Sequence, residues 1–169
     1  ARTITSGKIF VIDVLDNRLS IAGNSYDNVF IINPLKNNPV DFIKEQTKGV
    51  GVDIAFEAVG HPFYANETLN PVRGCINVIK GGGKVCVLGL SDVTAPVLFK
   101  ELIWKEAEII SSRVSHGEFR TSLEHLKNKN LKPEFLISKN MSGDDIQKAF
   151  ELLDENPGDY LKILLDFND

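Results

Sequence analysis

Short apolar runs and longer amphipathic stretches alternate along the chain. The apolar runs are continuous and rich in β-branched residues, which is typical of strands buried on both faces of a sheet. They predict strands at Lys8–Asp13, Val29–Ile32, Val52–Phe56, Lys84–Leu90, Glu108–Arg113 and Tyr160–Phe167, with a brief extended piece at Phe135–Ile137.

The stretches between these runs carry apolar residues three or four positions apart, which is helical spacing. They predict helices at Asp16–Ala22, Asn38–Lys48, His61–Lys80, Phe99–Lys105, Gly117–Lys129 and, behind a cap formed by Ser142–Asp145, Ile146–Leu153. Pro71 and Gly74 interrupt the third helix, so we expect a kink or two pieces there. Gly49–Gly51 and Gly81–Gly83 precede strands and are interpreted as turns.

The alternation of strands and helices indicates βαβ units, which predicts an α/β fold. We expect a Rossmann-like parallel sheet with helices on both faces. The length of 169 residues suits one ordinary domain with a real core.

The composition excludes some classes of partner and indicates a cell compartment. The net charge is −4 and no basic patch is visible, so we expect no nucleic-acid partner. No apolar stretch reaches the roughly 18 residues of a membrane span, so we expect no membrane partner. The two cysteines, Cys75 and Cys86, are too few for a disulfide framework or a zinc cage, which favours a cytoplasmic protein.

Asp13 carries the clearest chemical signal, because it follows an apolar strand and precedes a helix. In dinucleotide-binding folds an acid at the end of the second strand accepts hydrogen bonds from the adenosine ribose hydroxyls. A carboxylate offers only acceptors, which suits two neighbouring hydroxyls, and it repels a 2′-phosphate. The residue therefore favours NAD over NADP. The alternative interpretation, a solvated cap for the next helix, stays open at this point.

The glycine-rich phosphate loop G-x-G-x-x-G should lie about 20 residues before such an acid. Only twelve residues precede Asp13, and Gly7 is the one glycine among them. The sequence therefore predicts a dinucleotide fold that is missing its first strand and glycine-rich loop. That strand would lie between the strands of Lys8–Asp13 and Val52–Phe56, so we expect each of these to have an unpaired edge.

Six ordered landmarks resemble the medium-chain dehydrogenase/reductase family, which contains the zinc-type alcohol, polyol and threonine dehydrogenases. They cover about 160 of the 169 residues. The landmarks are Ile12–Ala22, with Asp13 and Arg18 in the pattern D-x-x-x-x-R-L-x-x-A, Val29–Pro34, Gly49–Gly60, Lys80–Leu90, Lys105–Arg113, and the closing pieces Phe135–Ile137 and Lys162–Phe167.

The resemblance implies a role for each of several residues toward NAD. It places Asp13 at the adenosine ribose, Arg18 near the adenine edge, Val59 and Gly60 where the cofactor crosses, Leu88, Gly89 and Leu90 beside the nicotinamide, Ser111, Ser112 and Arg113 near its carboxamide, and Lys162 near the pyrophosphate. Arg18 could equally be a surface arginine, and Ser111–Arg113 could equally have a structural role at a strand end. No catalytic residue and no metal ligand is expected in this sequence.

In that family a GroES-like catalytic domain precedes the cofactor domain and carries the catalytic zinc. The zinc acts as a Lewis acid on the alcohol while hydride passes to nicotinamide. We therefore expect residues 1–115 to be a partial NAD-binding domain and residues 116–169 to pack against the absent catalytic domain. Zinc is expected only in that domain. This chain alone should be inactive and should bind NADH weakly or not at all.

The resemblance also implies partners for the complete enzyme. Its substrate would be a small alcohol or polyol. Homo-oligomers would form through the edge strand Glu108–Ser112, because an exposed strand edge invites pairing.

Three alternatives remain beside a zinc-type, NAD-linked dehydrogenase. A zinc-free, NADPH-dependent quinone-type reductase of the same superfamily often has a basic or hydroxyl residue where Asp13 stands. An S-adenosylmethionine methyltransferase also places an acid after its second strand, but it does not explain the ordered landmarks. A non-catalytic remnant that only dimerises is the third.

Overall fold

The computed structural model describes residues 5–25, 27–60, 70–92, 94–112, 115, 117–131 and 133–168. Within them the strands are β1 (Ile9–Ile12), β2 (Val29–Ile32), β3 (Val52–Glu57), β4 (Ile79–Val87), β5 (Glu108–Ser111), β6 (Lys139–Ser142) and β7 (Ile163–Asp166). The helices are α1 (Asp16–Ser25), α2 (Pro39–Gln46), α3 (Pro71–Val78), α4 (Phe99–Lys105), α5 (Glu118–Lys127) and α6 (Ile146–Glu155). Two short 3₁₀ helices occupy Pro133–Leu136 and Gly143–Asp145.

Every strand pair in the described residues is parallel. The pairs form three sheets, with the orders β1-β2, β3-β4-β5 and β6-β7. β1 pairs with β2 in direct register from Ile9 opposite Val29, and β4 pairs with β5 from Lys84 opposite Glu108. Parallel strands joined through helices confirm the predicted α/β, Rossmann-like fold.

The chain divides into two compact units, which are described separately. The first contains residues 1–36 and 116–169, and the second contains residues 37–115. In the first unit Leu19, Ile32, Met141 and Ala149 are buried. In the second unit the buried apolar residues are Ile43, Ala55, Ile76, Val78, Ile79 and Val85. The predicted division into residues 1–115 and 116–169 concerns packing against another domain and stays a prediction.

Asparagine and proline start the helices of the second unit. The side chain of Asn38 accepts hydrogen bonds from the backbone N–H groups of Val40 and Asp41, and Pro39 begins α2. Asn70 accepts from the N–H of Arg73, and Pro71 begins α3. Proline is well tolerated at the first helical position, where its missing N–H would have had no partner.

The expected interruption at Gly74 is wrong, because Gly74 lies inside α3 as an ordinary helical residue. Pro71 starts α3, and the expected helical piece before it falls on residues 61–69, which lie outside the described residues. The helix ends at Val78 and β4 follows at once, so the predicted turn Gly81–Gly83 lies within β4. The pairing of β3 with β4 shifts register between Val52 and Ile54, and this irregularity accommodates the three glycines.

Some other element boundaries also differ from the predictions. β4 ends at Val87, β5 ends at Ser111, and Phe135–Leu136 belong to a 3₁₀ helix instead of an extended piece. The sequence did not predict β6, because Met141 is the one apolar residue in Lys139–Ser142. Met141 is buried, so a single side chain anchors that strand to the core.

Lys105 fastens the end of α3 in the second unit. Its ammonium group donates hydrogen bonds to the carbonyls of Ile76, Asn77 and Ile79 at 2.7, 3.2 and 3.0 Å. These carbonyls lie at the negative end of the helix dipole, where a cation is favourable. Burial lowers the pKa of Lys105 from its usual value.

β1 and β3, the two strands expected to flank a missing strand, each have a pairing partner on one side only. In the described part of the chain β1 pairs with β2 alone, and β3 pairs with β4 alone. Ile54 and Phe56 of β3 are 50% and 60% exposed, which is high for apolar side chains of a strand. Among the same residues, no helix is long and apolar enough to cross a membrane.

Candidate cofactor-binding site

Asp13 lies directly after β1 in the first unit and is half-buried. Its backbone N–H donates to the carbonyl of Ile32 at 3.3 Å, which continues the pairing with β2 by one residue. Its Oδ1 accepts a hydrogen bond from the N–H of Leu15 at 2.9 Å. No described residue donates to Oδ2, so one oxygen of this carboxylate is available to a ligand.

Asn33 holds the loop that carries Asp13. It is only 7% exposed, and it follows β2. Its amide group donates to the carbonyl of Val14 at 3.1 Å and to Oδ1 of Asp16 at 2.9 Å. Its Oδ1 accepts from the N–H of Leu35 at 3.0 Å. The side chain thus joins the end of β2 to the turn between β1 and α1.

Asp16 is the second acid of this turn, and both of its oxygens are occupied. Oδ1 accepts from Asn33, and Oδ2 pairs with Lys36 at 2.5 Å. The hydrogen bonds from Lys36 and Asn33 lower the pKa of Asp16. The Lys36–Asp16 pair is more than half exposed, so it contributes little to stability. Its effect is to leave Asp13 as the acid of this turn with a free oxygen.

Arg18 points to the C-terminal part of the first unit. Its Nε donates to the carbonyl of Pro157 at 3.1 Å, and the neighbouring Asn17 donates to Asp159 at 3.3 Å. The Nε atom therefore serves to hold the loop after α6. Lys162 precedes β7 and is exposed, and its carbonyl accepts from the N–H of Ser138 at 2.8 Å.

In the second unit, Glu57 organises the ends of β3 and β4. It is 4% exposed, and its Oε1 accepts from the N–H groups of Val59 and Gly60 at 2.7 and 3.1 Å. Its backbone carbonyl accepts from the N–H groups of Leu88 and Gly89 at 2.8 and 3.1 Å. One residue thereby fixes both loops in which the sequence predicts cofactor contacts.

Gly60 and Gly89 allow these two loops to touch. A Cβ atom on Gly89 would overlap the amide nitrogen of Gly60 and lie 2.5 Å from Oε2 of Glu57. A Cβ on Gly60 would lie 2.5 Å from the carbonyl oxygen of Leu90, and the φ angle of Gly60 is +73°. Only glycine fits such close backbone contact. Val59, Leu88 and Leu90 lie beside them and are 53%, 45% and 77% exposed.

The predicted site residues thus fall into two groups. Gly60, Gly89 and Leu90 lie together in the second unit, and Ser111 and Ser112 lie one strand further along its sheet, where Ser112 N–H donates to the Val87 carbonyl at 2.9 Å. Asp13, Arg18 and Lys162 belong to the first unit. Arg113 lies outside the described residues.

Cys75 lies in α3, close enough to Glu57 for an electrostatic interaction with its carboxylate. Burial and then the Glu57 carboxylate raise the pKa of its thiol from 9.0 to about 12. A thiol reacts as its thiolate, so Cys75 should be unreactive near neutral pH.

We expect Cys75 to react with iodoacetamide about a thousandfold more slowly in the folded chain than in the urea-unfolded chain at pH 8, from the difference between pKa values of about 12 and 9.0. Peptide mass spectrometry of quenched time points measures the rate, and the unfolded chain is the control. Equal rates in both states would contradict the burial of this thiol.

Two residues that organise these loops, Asn33 and Glu57, were not among the sites predicted from the sequence. Asn33 and Glu57 are both polar residues at the ends of strands, and both are buried. Their signal is positional: Asn33 precedes a proline, and Glu57 precedes Gly60 by three residues. In the described residues, no group of three or more His, Cys, Asp or Glu side chains could hold a metal ion.

Parallel strands with crossover helices, and polar or glycine residues collected at the strand ends, define an α/β protein with a Rossmann-like fold. The chain belongs to the zinc-binding dehydrogenase family, because the model of that family matches residues 1–128.

Individual relatives agree with this assignment. The L-threonine 3-dehydrogenase of Caldanaerobacter subterraneus subsp. tengcongensis is 28% identical over 151 residues, which cover 86% of this chain and 41% of that protein. The solved structure of L-idonate 5-dehydrogenase from Escherichia coli K-12 superposes with a TM-score of 0.81 at 25% identity, covering 98% of this chain and 44% of that one.

A further solved structure contains a cofactor. It is described as a short chain alcohol dehydrogenase from Escherichia coli CFT073 complexed with NADH. It superposes with a TM-score of 0.77 at 22% identity, over 95% of this chain and 44% of that one, and so supports the fold. The chain thus spans less than half the length of each of these relatives.

Proposed function

We propose that this chain is the cofactor-binding part of an NAD-dependent, zinc-type dehydrogenase that oxidises a small alcohol or polyol. The observation that carries the proposal is Asp13, a half-buried carboxylate at the end of β1 with Oδ2 free of any described donor. Its position and its acceptor oxygens suit the two ribose hydroxyls of adenosine, which donate. The family match and the NADH complex of a structural neighbour support the choice of cofactor.

The remaining contacts are assigned by the resemblance to the family. Val59, Gly60, Leu88, Gly89 and Leu90 would offer backbone groups and close approach to the nicotinamide half, because side chains are absent or turned out there. Ser111, Ser112 and Arg113 would lie near the carboxamide, and Lys162 near the pyrophosphate. For Arg18 the bond from Nε to Pro157 leaves only its outer nitrogens for the adenine edge.

The bound NAD would supply the acceptor for a hydride leaving the alcohol carbon. The described residues of this chain bind and orient that cofactor, and we assign no catalytic residue and no zinc ligand to this sequence. Zinc would be held by residues outside it. We further propose that the 169 residues alone do not catalyse the reaction and bind NADH weakly, in the millimolar range.

Assay of the protein isolated from its natural source tests this function. With NAD⁺ and a panel of alcohols, polyols and threonine, NADH formation is followed by absorbance. We expect turnover with NAD⁺ on at least one of these substrates and at least tenfold less with NADP⁺. Preference for NADPH and a quinone would favour the zinc-free reductase instead, and no turnover with either cofactor would leave the non-catalytic remnant.

We propose that the complete protein forms homo-oligomers by pairing β5 with β5 of a second copy. β5 pairs only with β4 among the described residues, and Ile109 and Ile110 are each 41% exposed. Ser112 N–H faces β4, and the direction of N–H groups alternates along a strand, so the N–H groups of Ile109 and Ser111 face outward. They provide the donors that a second strand would use.

Replacing Ile109 with proline should convert the oligomer into monomers. Proline removes the outward N–H of this edge strand and keeps the bonds from Ile110 and Ser112 to β4. Sedimentation velocity measures the change, and Ile109→Val, which keeps the donor, is the matched control. A proline variant that stays oligomeric, or an unaltered protein that is monomeric, would contradict the proposal.

A further inference from the structure

Two carboxylates, Asp13 and Asp16, lie three residues apart between the end of β1 and the first residue of α1. They differ in how many of their oxygens accept hydrogen bonds from described residues. Asp16 has both oxygens occupied, one by Asn33 and one by Lys36. Asp13 has one oxygen bound by Leu15 N–H and the other without a described donor. The hydrogen-bond network around Asn33 separates their roles.

We propose that Asn33 is the positioning residue that makes Asp13 the ribose-binding carboxylate of this chain. This inference rests on the proposed function. It adds to the proposed site a residue, Asn33, that lies outside the sequence motif containing Asp13. Asn33 does not touch the ligand. It acts through the backbone of Val14 and through the carboxylate of Asp16.

The amide side chain of Asn33 is chemically suited to this place. It must donate to two acceptors, the Val14 carbonyl and Asp16 Oδ1, and accept from one donor, the Leu35 N–H. An amide provides two donors and an acceptor, whereas a carboxylate provides only acceptors. Because Asn33 is nearly fully buried, losing these bonds would leave polar groups without partners in the protein interior.

The network reaches Asp13 through a single peptide group, the one that joins Val14 to Leu15. Asn33 binds the carbonyl of this group, and its N–H, which belongs to Leu15, donates to Oδ1 of Asp13. The N–H of Asp13 itself is held by Ile32, the residue before Asn33. The direction of the free Oδ2 is therefore set by the end of β2. Without Asn33 the turn would keep its acids and lose this alignment.

Binding and hydrogen exchange by the 169-residue chain test the inference with the variant Asn33→Ala. Ligand-observed NMR gives the dissociation constant for NADH, and amide exchange of Leu15 reports the turn directly. We expect NADH binding to weaken about tenfold and Leu15 N–H to exchange about fivefold faster, which correspond to the loss of one to two hydrogen bonds. The milder Asn33→Ser, which keeps one acceptor, should give an intermediate result.

Asn38→Ala is the matched control. It removes an asparagine that caps α2 in the other unit, with an expected stability loss of about 0.5–2 kcal/mol. It should leave NADH binding within twofold of the unaltered chain. If folded Asn33→Ala and Asn33→Ser chains bind NADH as the unaltered chain does, while Asp13→Asn weakens it, Asn33 has only a structural role. If Asp13→Asn also has no effect, the proposed function itself is wrong.

Discussion

Replacing Asp13 with asparagine should weaken NADH binding by about tenfold or more and should strengthen NADPH binding. The substitution keeps the shape of the side chain and an acceptor for Leu15 N–H, so the turn survives. It removes the negative charge, and a hydrogen bond from a ribose hydroxyl contributes about 1.5–3 kcal/mol to a charged acceptor but only about 1 kcal/mol to a neutral one. The same charge repels the 2′-phosphate of NADPH, so its loss lowers the discrimination between the two cofactors.

Ligand-observed NMR gives the dissociation constants for NADH and NADPH, and the ratio of the two constants measures the discrimination between the cofactors. Asp53→Asn is the control, since it makes the same change of charge at the start of β3, where Asp53 is exposed and paired with Lys80. The control should leave the ratio unchanged. If Asp13→Asn also leaves the ratio unchanged, the carboxylate does not face the ribose and the alternative role, a solvated cap for α1, is favoured.

Replacing Gly89 with alanine should destabilise the chain by about 1–3 kcal/mol, the usual range for overpacking. The new methyl group would overlap the backbone of Gly60 and approach the buried Glu57 carboxylate, and neither can move aside cheaply. Gly74→Ala should instead raise the free energy of unfolding. Gly74 lies inside α3 with no heavy atom within 4 Å of the added Cβ, so alanine gains helix propensity worth about 0.5–1 kcal/mol.

Urea unfolding followed by circular dichroism measures both free energies. The pair controls for the chemical change, since both variants add one methyl group to a glycine. Gly89→Ala should also weaken NADH binding, because the loops around Gly60 and Leu90 are moved apart. A Gly89→Ala chain as stable as the unaltered one would show that the two loops do not touch.

The sequence predicted the fold well where apolar periodicity decides it. β1, β2, α2 and α4 lie where the pattern places them, because their apolar positions are dense and their ends carry clear signals such as Asn38–Pro39. β6 was missed because one buried side chain, Met141, supports it. The turn expected at Gly81–Gly83 was wrong because the flanking residues Ile79 and Lys84 both pair with β3, so the glycines form an irregular part of one strand. That pairing joins distant segments of the chain.

The site was predictable only at the level of residue types. Asp13 could be named because it follows an apolar strand and precedes a helix, whereas Gly60 and Gly89 were named from the family resemblance. Asn33 and Glu57 could not, since their importance lies in which backbone groups they reach. The direction of Arg18 was also outside the reach of sequence, because its Nε is held by Pro157, which is 139 positions away.

The central claim is that the free oxygen of Asp13 binds the adenosine ribose and thereby selects NAD over NADP. Titration of the unaltered chain with NADH and with NADPH, under the same conditions and by ligand-observed NMR, tests it most directly. We expect a dissociation constant for NADH in the millimolar range and one for NADPH at least tenfold weaker. Equal or tighter binding of NADPH would contradict it.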